Sequence, residues 1–235
     1  MKTVTCMTTT FAFSDMRDTM SVAGCQGVYP LQTAPNCLIF YNTIDRPGAE
    51  IEAETIEEAM ILLKCYTKVN KNPTKNSIIY SIDNSAVPNP SALICIIMSH
   101  GKDGTLFMDG ESLSVQDILT AMDAPDLQGK PKVLIIQACR GSIENTSVHD
   151  RSSSAGSFEL SSPDMLAVYS SLKGGRAARN VMIPLLAKTL KNARQDEDLC
   201  ELVHRTMTEM TKAVPQQVPE MRSTLRYRVV LKKVS

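Results

Sequence analysis

Leu93-Ile-Cys-Ile-Ile97 running into Met98-Ser-His100-Gly101, and Val133-Leu-Ile-Ile136 running into Gln137-Ala-Cys139-Arg-Gly141, are the two stretches on which the fold turns. Each opens with an unbroken apolar run too short for a typical helix and rich in β-branched residues. Such runs are strands buried on both faces, as in parallel sheets covered by helices. In open sheets of that kind, active groups cluster beyond the carboxyl ends of the strands. If the two strands are parallel neighbours, His100 and Cys139 share one rim.

The flanking sequence fits an α/β fold. Cys37-Leu-Ile-Phe-Tyr41 and Met165-Leu-Ala-Val-Tyr169 read as further buried strands. Thr55-Ile-Glu-Glu58 has the form of a capping box, followed by Ile56, Met60 and Leu63 at helical spacing. Ser114 caps a short helix with Val115, Ile118, Leu119 and Met122 on one face. Residues 182–193 predict a helix with Pro184 in its first turn. A second begins near Asp196-Glu-Asp198 and carries Leu199, Val203, Met207 and Met210 as its stripe. Residues 71–91 read as a loop with one short element around Ser77-Ile-Ile-Tyr80. The alternating Leu225-Arg-Tyr-Arg-Val-Val-Leu231 predicts a closing strand. Strands alternating with amphipathic helices imply a sheet with helices on both faces.

Composition narrows the function. The 235 residues are 43% apolar and 21% charged, which excludes a largely disordered chain. Lys and Arg number 25, as do Asp and Glu, so no basic excess favours nucleic acid. The longest apolar run, residues 92–98, is far short of the roughly 20 residues of a membrane span. The opening MKTVTCMTTTFAFSDMRD is a poor secretory signal, and a cytoplasmic location is expected. The seven cysteines show no C-x-x-C pair, so no metal site is expected, and their odd number fits reduced thiols. Cys37, Cys65 and Cys95 lie in apolar runs and read as small buried hydrophobes, whereas Cys139 sits at a strand end.

A thiolate can attack a carbonyl, and a nearby imidazole can ionise the thiol and protonate the leaving amine. Gly101 and Gly141 leave room for a substrate, and a backbone N–H at a strand end can hold the oxyanion. Alone, a Cys after a strand is usually core and a His there a polar loop residue. The joint pattern points to chemistry.

In these motifs, S-H-G and Q-A-C-R-G, the sequence resembles the caspases, over about residues 29–231. The resemblance implies a caspase-like three-layer α/β/α sandwich around a mostly parallel six-stranded sheet. It implies one catalytic domain: a short extension at 1–28, a large-subunit region at 29–141, an intersubunit linker at 142–163 and a small-subunit region at 164–235. It implies a cysteine endopeptidase of apoptosis, made as a zymogen, that cuts proteins after Asp without metal or organic cofactor. Cys139 is then the nucleophile, His100 the general acid/base, and the N–H groups of Gly101 and Cys139 the oxyanion hole. The Asp pocket maps onto Gln137, onto Arg46 in Arg46-Pro-Gly-Ala-Glu-Ile-Glu52, and onto Arg179 before Asn180. Asp150, in Ser147-Val-His-Asp150, is the expected processing site, with Asp15 or Asp18 for loss of the extension. Asp164 reads as structural. The strand at 225–231 is expected to pair with a second copy or with another caspase.

The sequence also departs from the family. Where caspases carry Ser-Trp-Arg-Asn, this chain has Ala177-Ala178-Arg179-Asn180, with Arg176 in place of an aromatic residue. A later Gly-Ser-Trp-Phe tract is absent, the loop before Arg46 is short, and the chain has no Trp. Aromatic walls supply contact area at low entropy cost. An alternative therefore stands beside the enzyme: a catalytically impaired decoy that binds and regulates an active caspase.

Overall fold

A computed structural model describes residues 9–11, 27–86, 89–140, 159–172, 175, 177, 178 and 180–232. In chain order the elements are strands β1 (Thr9–Phe11) and β2 (Asn36–Tyr41), helix α1 (Ala49–Leu62), β3 (Tyr66–Lys71), α2 (Lys75–Asp83) and β4 (Leu93–Met98). A hairpin and third strand follow as β5 (His100–Lys102), β6 (Thr105–Met108) and β7 (Glu111–Ser114), then α3 (Val115–Met122) and β8 (Lys132–Gln137). The chain closes with β9 (Met165–Tyr169), α4 (Met182–Lys191), α5 (Leu199–Ala213) and β10 (Glu220–Ser223).

The main sheet runs β3-β2-β4-β8-β9-β10-β1. The first five are mutually parallel, β10 is antiparallel to β9, and β1 is antiparallel to β10. The mostly parallel sheet expected from the sequence is present, with the short β1 added as a seventh strand at its edge. Every residue of β2, β4, β8 and β9 is buried, because both faces are covered. Ile39, Ile94, Ile96 and Ile135 face a core shared with α1, α4 and α5. Leu38, Cys95, Ile97 and Leu134 face the opposite core, shared with α2, α3 and the small β5–β7 sheet. The chain leaves β2 toward β3 on one side and returns as β4 on the other, so the topological switch lies between β2 and β4.

Several expectations need correction. Helix α1 begins at Ala49, after Gly48 at φ 86, and not at a capping box. Thr55 lies inside the helix, its hydroxyl donating to the Ile51 carbonyl. The one short element expected within 71–91 is present as α2, capped by the Thr74 hydroxyl on the Ser77 N–H, whereas β3 before it was not expected. The β3 edge was invisible to an apolar pattern because most of its side chains are partly or fully exposed.

The predicted strand 225–231 is not a strand. It is an extended segment tied to 27–29 through Arg228 N to Gly27 O at 2.9 Å and Tyr29 N to Arg228 O at 3.0 Å. It is also tied to the start of α5, with Val229 N donating to Asp198 Oδ1 at 2.9 Å. Leu225, Val229 and Leu231 are buried in this chain's own core, but Tyr227, in phase with them, is exposed. The sheet strand is β10, and its outer edge is taken by β1, Thr9 opposite Ser223. The dimer strand expected at 225–231 is therefore withdrawn.

Of the expected linker, 142–158 and Asp150 fall outside the described residues, as do Asp15 and Asp18. Its described end is packed on α3, with Glu159 N donating to Gln116 Oε1 at 3.2 Å and Leu160 buried. Asp164 is fully buried at φ 65 and binds Arg226 through both oxygens, at 2.8 and 2.6 Å, with the Tyr29 hydroxyl donating at 2.6 Å. Burial opposes its ionisation most, yet the hydrogen bonds from Arg226 and Tyr29 together outweigh that and hold its carboxyl below the usual value.

Candidate active site

The rim at the carboxyl ends of β2, β4, β8 and β9 collects the chemical groups. Parallel pairing sets Met98 beside Gln137, so β4 and β8 end level, and the ladder continues from Ser99 N to Gln137 O at 3.1 Å. The chain then enters β5, and in the turn after it Asp103 N donates to Arg140 O at 3.3 Å. A Cβ on Gly101 would meet the Cys139 carbonyl oxygen at 2.8 Å and the Thr105 oxygen at 3.0 Å. Only glycine permits that approach, so Gly101 lies directly against Cys139. Strand order places the contributions in sequence along the rim: the β2 exit, His100, Cys139, then the segment after β9.

His100 Nε2 lies 3.1 Å from the Ile44 carbonyl oxygen. A carbonyl only accepts, so Nε2 carries the proton, and in the neutral ring Nδ1 is the acceptor. Cys139 is partly exposed, unlike Cys37, Cys65 and Cys95. Burial pushes the Cys65 thiol up to about 12 and holds those of Cys37 and Cys95 above their ordinary value. These three are inert core groups. The Cys139 Sγ accepts the Ala177 N–H at 3.4 Å and lies 3.9 Å from the Ala177 oxygen. The segment carrying Ala177 is fixed by Gln217, which accepts from Ala178 N at 2.7 Å and donates to the Ser170 oxygen. Beneath it, Arg140 is buried, paired with Glu220 and stacked 4.4 Å from the centre of the Tyr169 ring.

Beside the thiol lies a buried polar knot. Arg46, 4% exposed, donates to the Gln137 carbonyl at 3.4 Å and to Glu52 Oε2 at 3.3 Å. Gln137, 2% exposed, donates to Glu52 Oε1 at 2.7 Å and accepts the Ile183 N–H at 3.1 Å. Glu52 Oε1 also takes the Asn180 N–H at 3.0 Å. The structure thus joins Arg46 and Gln137 as the sequence reading grouped them, while Arg179 falls outside the described residues.

Glu52 was missed. The signal was its place among Ala49, Ala53, Ile56 and Met60 on the buried face of α1, where a carboxylate needs a partner. Starting the helix at Thr55 hid it. Among the described residues, no group of three or more His, Cys, Asp or Glu is arranged to hold a metal ion. No described helix is long and apolar enough to cross a membrane.

The fold and rim define a class: a caspase-like α/β sandwich with His and Cys at the ends of adjacent parallel strands. A family model for the caspase domain matches residues 36–230, and the chain belongs to the caspase family. It is 28% identical to Homo sapiens caspase-14 over 236 residues, covering 86% of this chain and 95% of that one. It is 31% identical to Mus musculus caspase-14 over 124 residues, 48% of each chain. To Mus musculus caspase-3 it is 29% identical over 147 residues, 57% of this chain and 52% of that one. The chain thus spans about half the length of these two mouse relatives. The crystal structure of caspase-1 from Spodoptera frugiperda shares the fold, with a TM-score of 0.75 at 21% identity over 88% of this chain and 96% of that one.

Proposed function

We propose that the chain is a cysteine endopeptidase that cuts proteins after Asp, acting in the cytoplasm in apoptosis. The observation that carries this is the adjacency, on one rim, of an accessible thiol, an imidazole oriented by the Ile44 carbonyl, and a buried Arg46–Gln137 knot. In this reading Nδ1 of His100 takes the Cys139 proton, and the thiolate attacks the carbonyl carbon. The N–H groups of Gly101 and Cys139 receive the oxyanion. Collapse expels the amine, protonated by the imidazolium, and leaves a thioester. Water then hydrolyses the thioester as His100 takes its proton, regenerating the thiol.

The pocket carries a charge argument. Glu52 already balances Arg46, so the pair brings no net charge to a substrate carboxylate. The balancing cation is Arg179, with Arg46 and Gln137 supplying a fixed polar floor. Cleavage after Asp150 within 142–163 belongs to the same reading, as zymogen processing. Pairing with a second copy or another caspase along β10 requires β1 to leave that edge.

A second reading rests on the Ala177 contact. The segment seated on the thiol presents Ala177 and Ala178 and no aromatic wall, which suits a decoy that regulates an active caspase. Turnover of Asp-containing peptides by purified protein decides between them. The enzyme reading expects cleavage after Asp that disappears in Cys139→Ala. Equal background from both proteins leaves the decoy.

A further inference from the structure

The two ends of the main sheet are closed in different ways. At one end β3 is the outermost strand, with Lys68 and Lys71 exposed along it. Lysines guard such an edge, because a docking strand would have to bury their charge. At the other end β10 presents no exposed charge. Glu220 and Met221 are buried, and Arg222 and Ser223 are half-buried. Glu220 is taken up by Arg140 and Arg222. What covers this edge is backbone: β1, with Thr9 opposite Ser223, Thr10 opposite Arg222 and Phe11 opposite Met221.

The cover belongs to the same chain. Residues 12–26 join β1 to Gly27, whose carbonyl accepts the Arg228 N–H at 2.9 Å. A strand tethered over so short a segment meets its edge at an effective concentration on the order of a millimolar. A second copy of the chain competes only at its own, far lower, concentration.

The pairing of β1 with β10 is antiparallel. Two β10 strands related by a twofold axis would pair in the same sense. Both arrangements use the same backbone groups of residues 221–223, so one excludes the other. A strand held by so few residue pairs lies at the low-stability end of the fold and can be released without disturbing the core.

We propose that β1 is an intramolecular block on self-association. While it lies on β10 the chain stays a monomer, and once it leaves, two copies join edge to edge through β10. The partner this edge fits is a second copy of the same chain, admitted only when residues 1–26 are detached from it. The block does not depend on the peptidase reading, and its test reads mass and not turnover.

The test is sedimentation of the full chain and of a Thr9→Pro/Thr10→Pro double variant from low to high micromolar concentration. In an antiparallel ladder the N–H of one of two adjacent residues faces the neighbouring strand, so the double variant removes a β1 donor whichever residue supplies it. The unaltered chain is expected to keep the monomer mass throughout, and the double variant to double in mass as concentration rises. A double variant that stays monomeric, or an unaltered chain that dimerises as readily, overturns the block. Should the double variant fail to fold, hydrogen exchange at residues 220–223 of the unaltered chain decides. Protection that is the same at every concentration is expected. Protection that rises with concentration, or none at all, overturns the block.

Discussion

Two buried carboxylates, one at each end of the sheet, do different work. Asp164 lies at the amino end of β9, where one guanidinium fork and one phenol meet its two oxygens. Those partners come from Tyr29 and Arg226, so the knot fastens both flanks of the domain to the sheet. Glu52 lies at the carboxyl end, where its three partners are Arg46, Gln137 and the Asn180 N–H. That knot ties the start of α1 to the end of β8 and to Asn180, just before α4. Both carboxylates face a guanidinium, but only the second stands beside the thiol. The same local chemistry serves cohesion at one end and, on the peptidase reading, a recognition floor at the other.

The comparison predicts an order of effects. On the peptidase reading, which assigns Arg179 the charge that meets the substrate carboxylate, Arg179→Ala should reduce kcat/KM for Asp peptides most, by about 10³-fold. Kinetics on peptides ending in Asp and Asn check this, and a loss equal for both contradicts the charge argument. Glu52→Ala leaves Arg46 buried without its counter-charge and should cost about 3–5 kcal/mol in urea unfolding, with activity falling as well. Stability within a few tenths of a kcal/mol of the unaltered chain contradicts the pairing.

Asp164→Asn should cost less, about 1–2 kcal/mol, because Arg226 remains half exposed to solvent. kcat should be unchanged. Its pH dependence follows from the sign of the shift. The folded carboxyl is held below its ordinary value, so its contribution is present above the unfolded value, near 4, and is lost as pH falls through the lower folded one. Stabilities of the unaltered chain and Asp164→Asn should therefore converge on acidification. A gap that stays constant down to strongly acidic pH contradicts the assignment.

Much of this was legible in the sequence. The strands of the parallel core showed as unbroken apolar runs because both faces are covered, and His100 and Cys139 followed from where two of them end. The partly exposed β3 and the β5–β7 sheet lack such runs, and only the tertiary setting makes them strands. Thr55 misled because Ser and Thr bond to nearby backbone inside helices as well as at caps. The alternation at 225–231 indicated the burial of Leu225, Val229 and Leu231 but not the exposure of Tyr227, and could not name the partner, which is this chain's own 27–29 and α5. The bridge made by Gln217 left no pattern at all, since a single amide joining distant backbones has no periodicity.

The central claim is that Cys139 receives a substrate carbonyl next to a pocket that demands a carboxylate. It is tested by mass spectrometry of the intact chain after incubation with a peptidyl fluoromethyl ketone ending in Asp, alongside the Asn counterpart. A single adduct is expected, mapped to Cys139, formed with the Asp reagent far faster than with the Asn one and absent from Cys139→Ala. Equal labelling by both reagents, or an adduct on another cysteine, contradicts it.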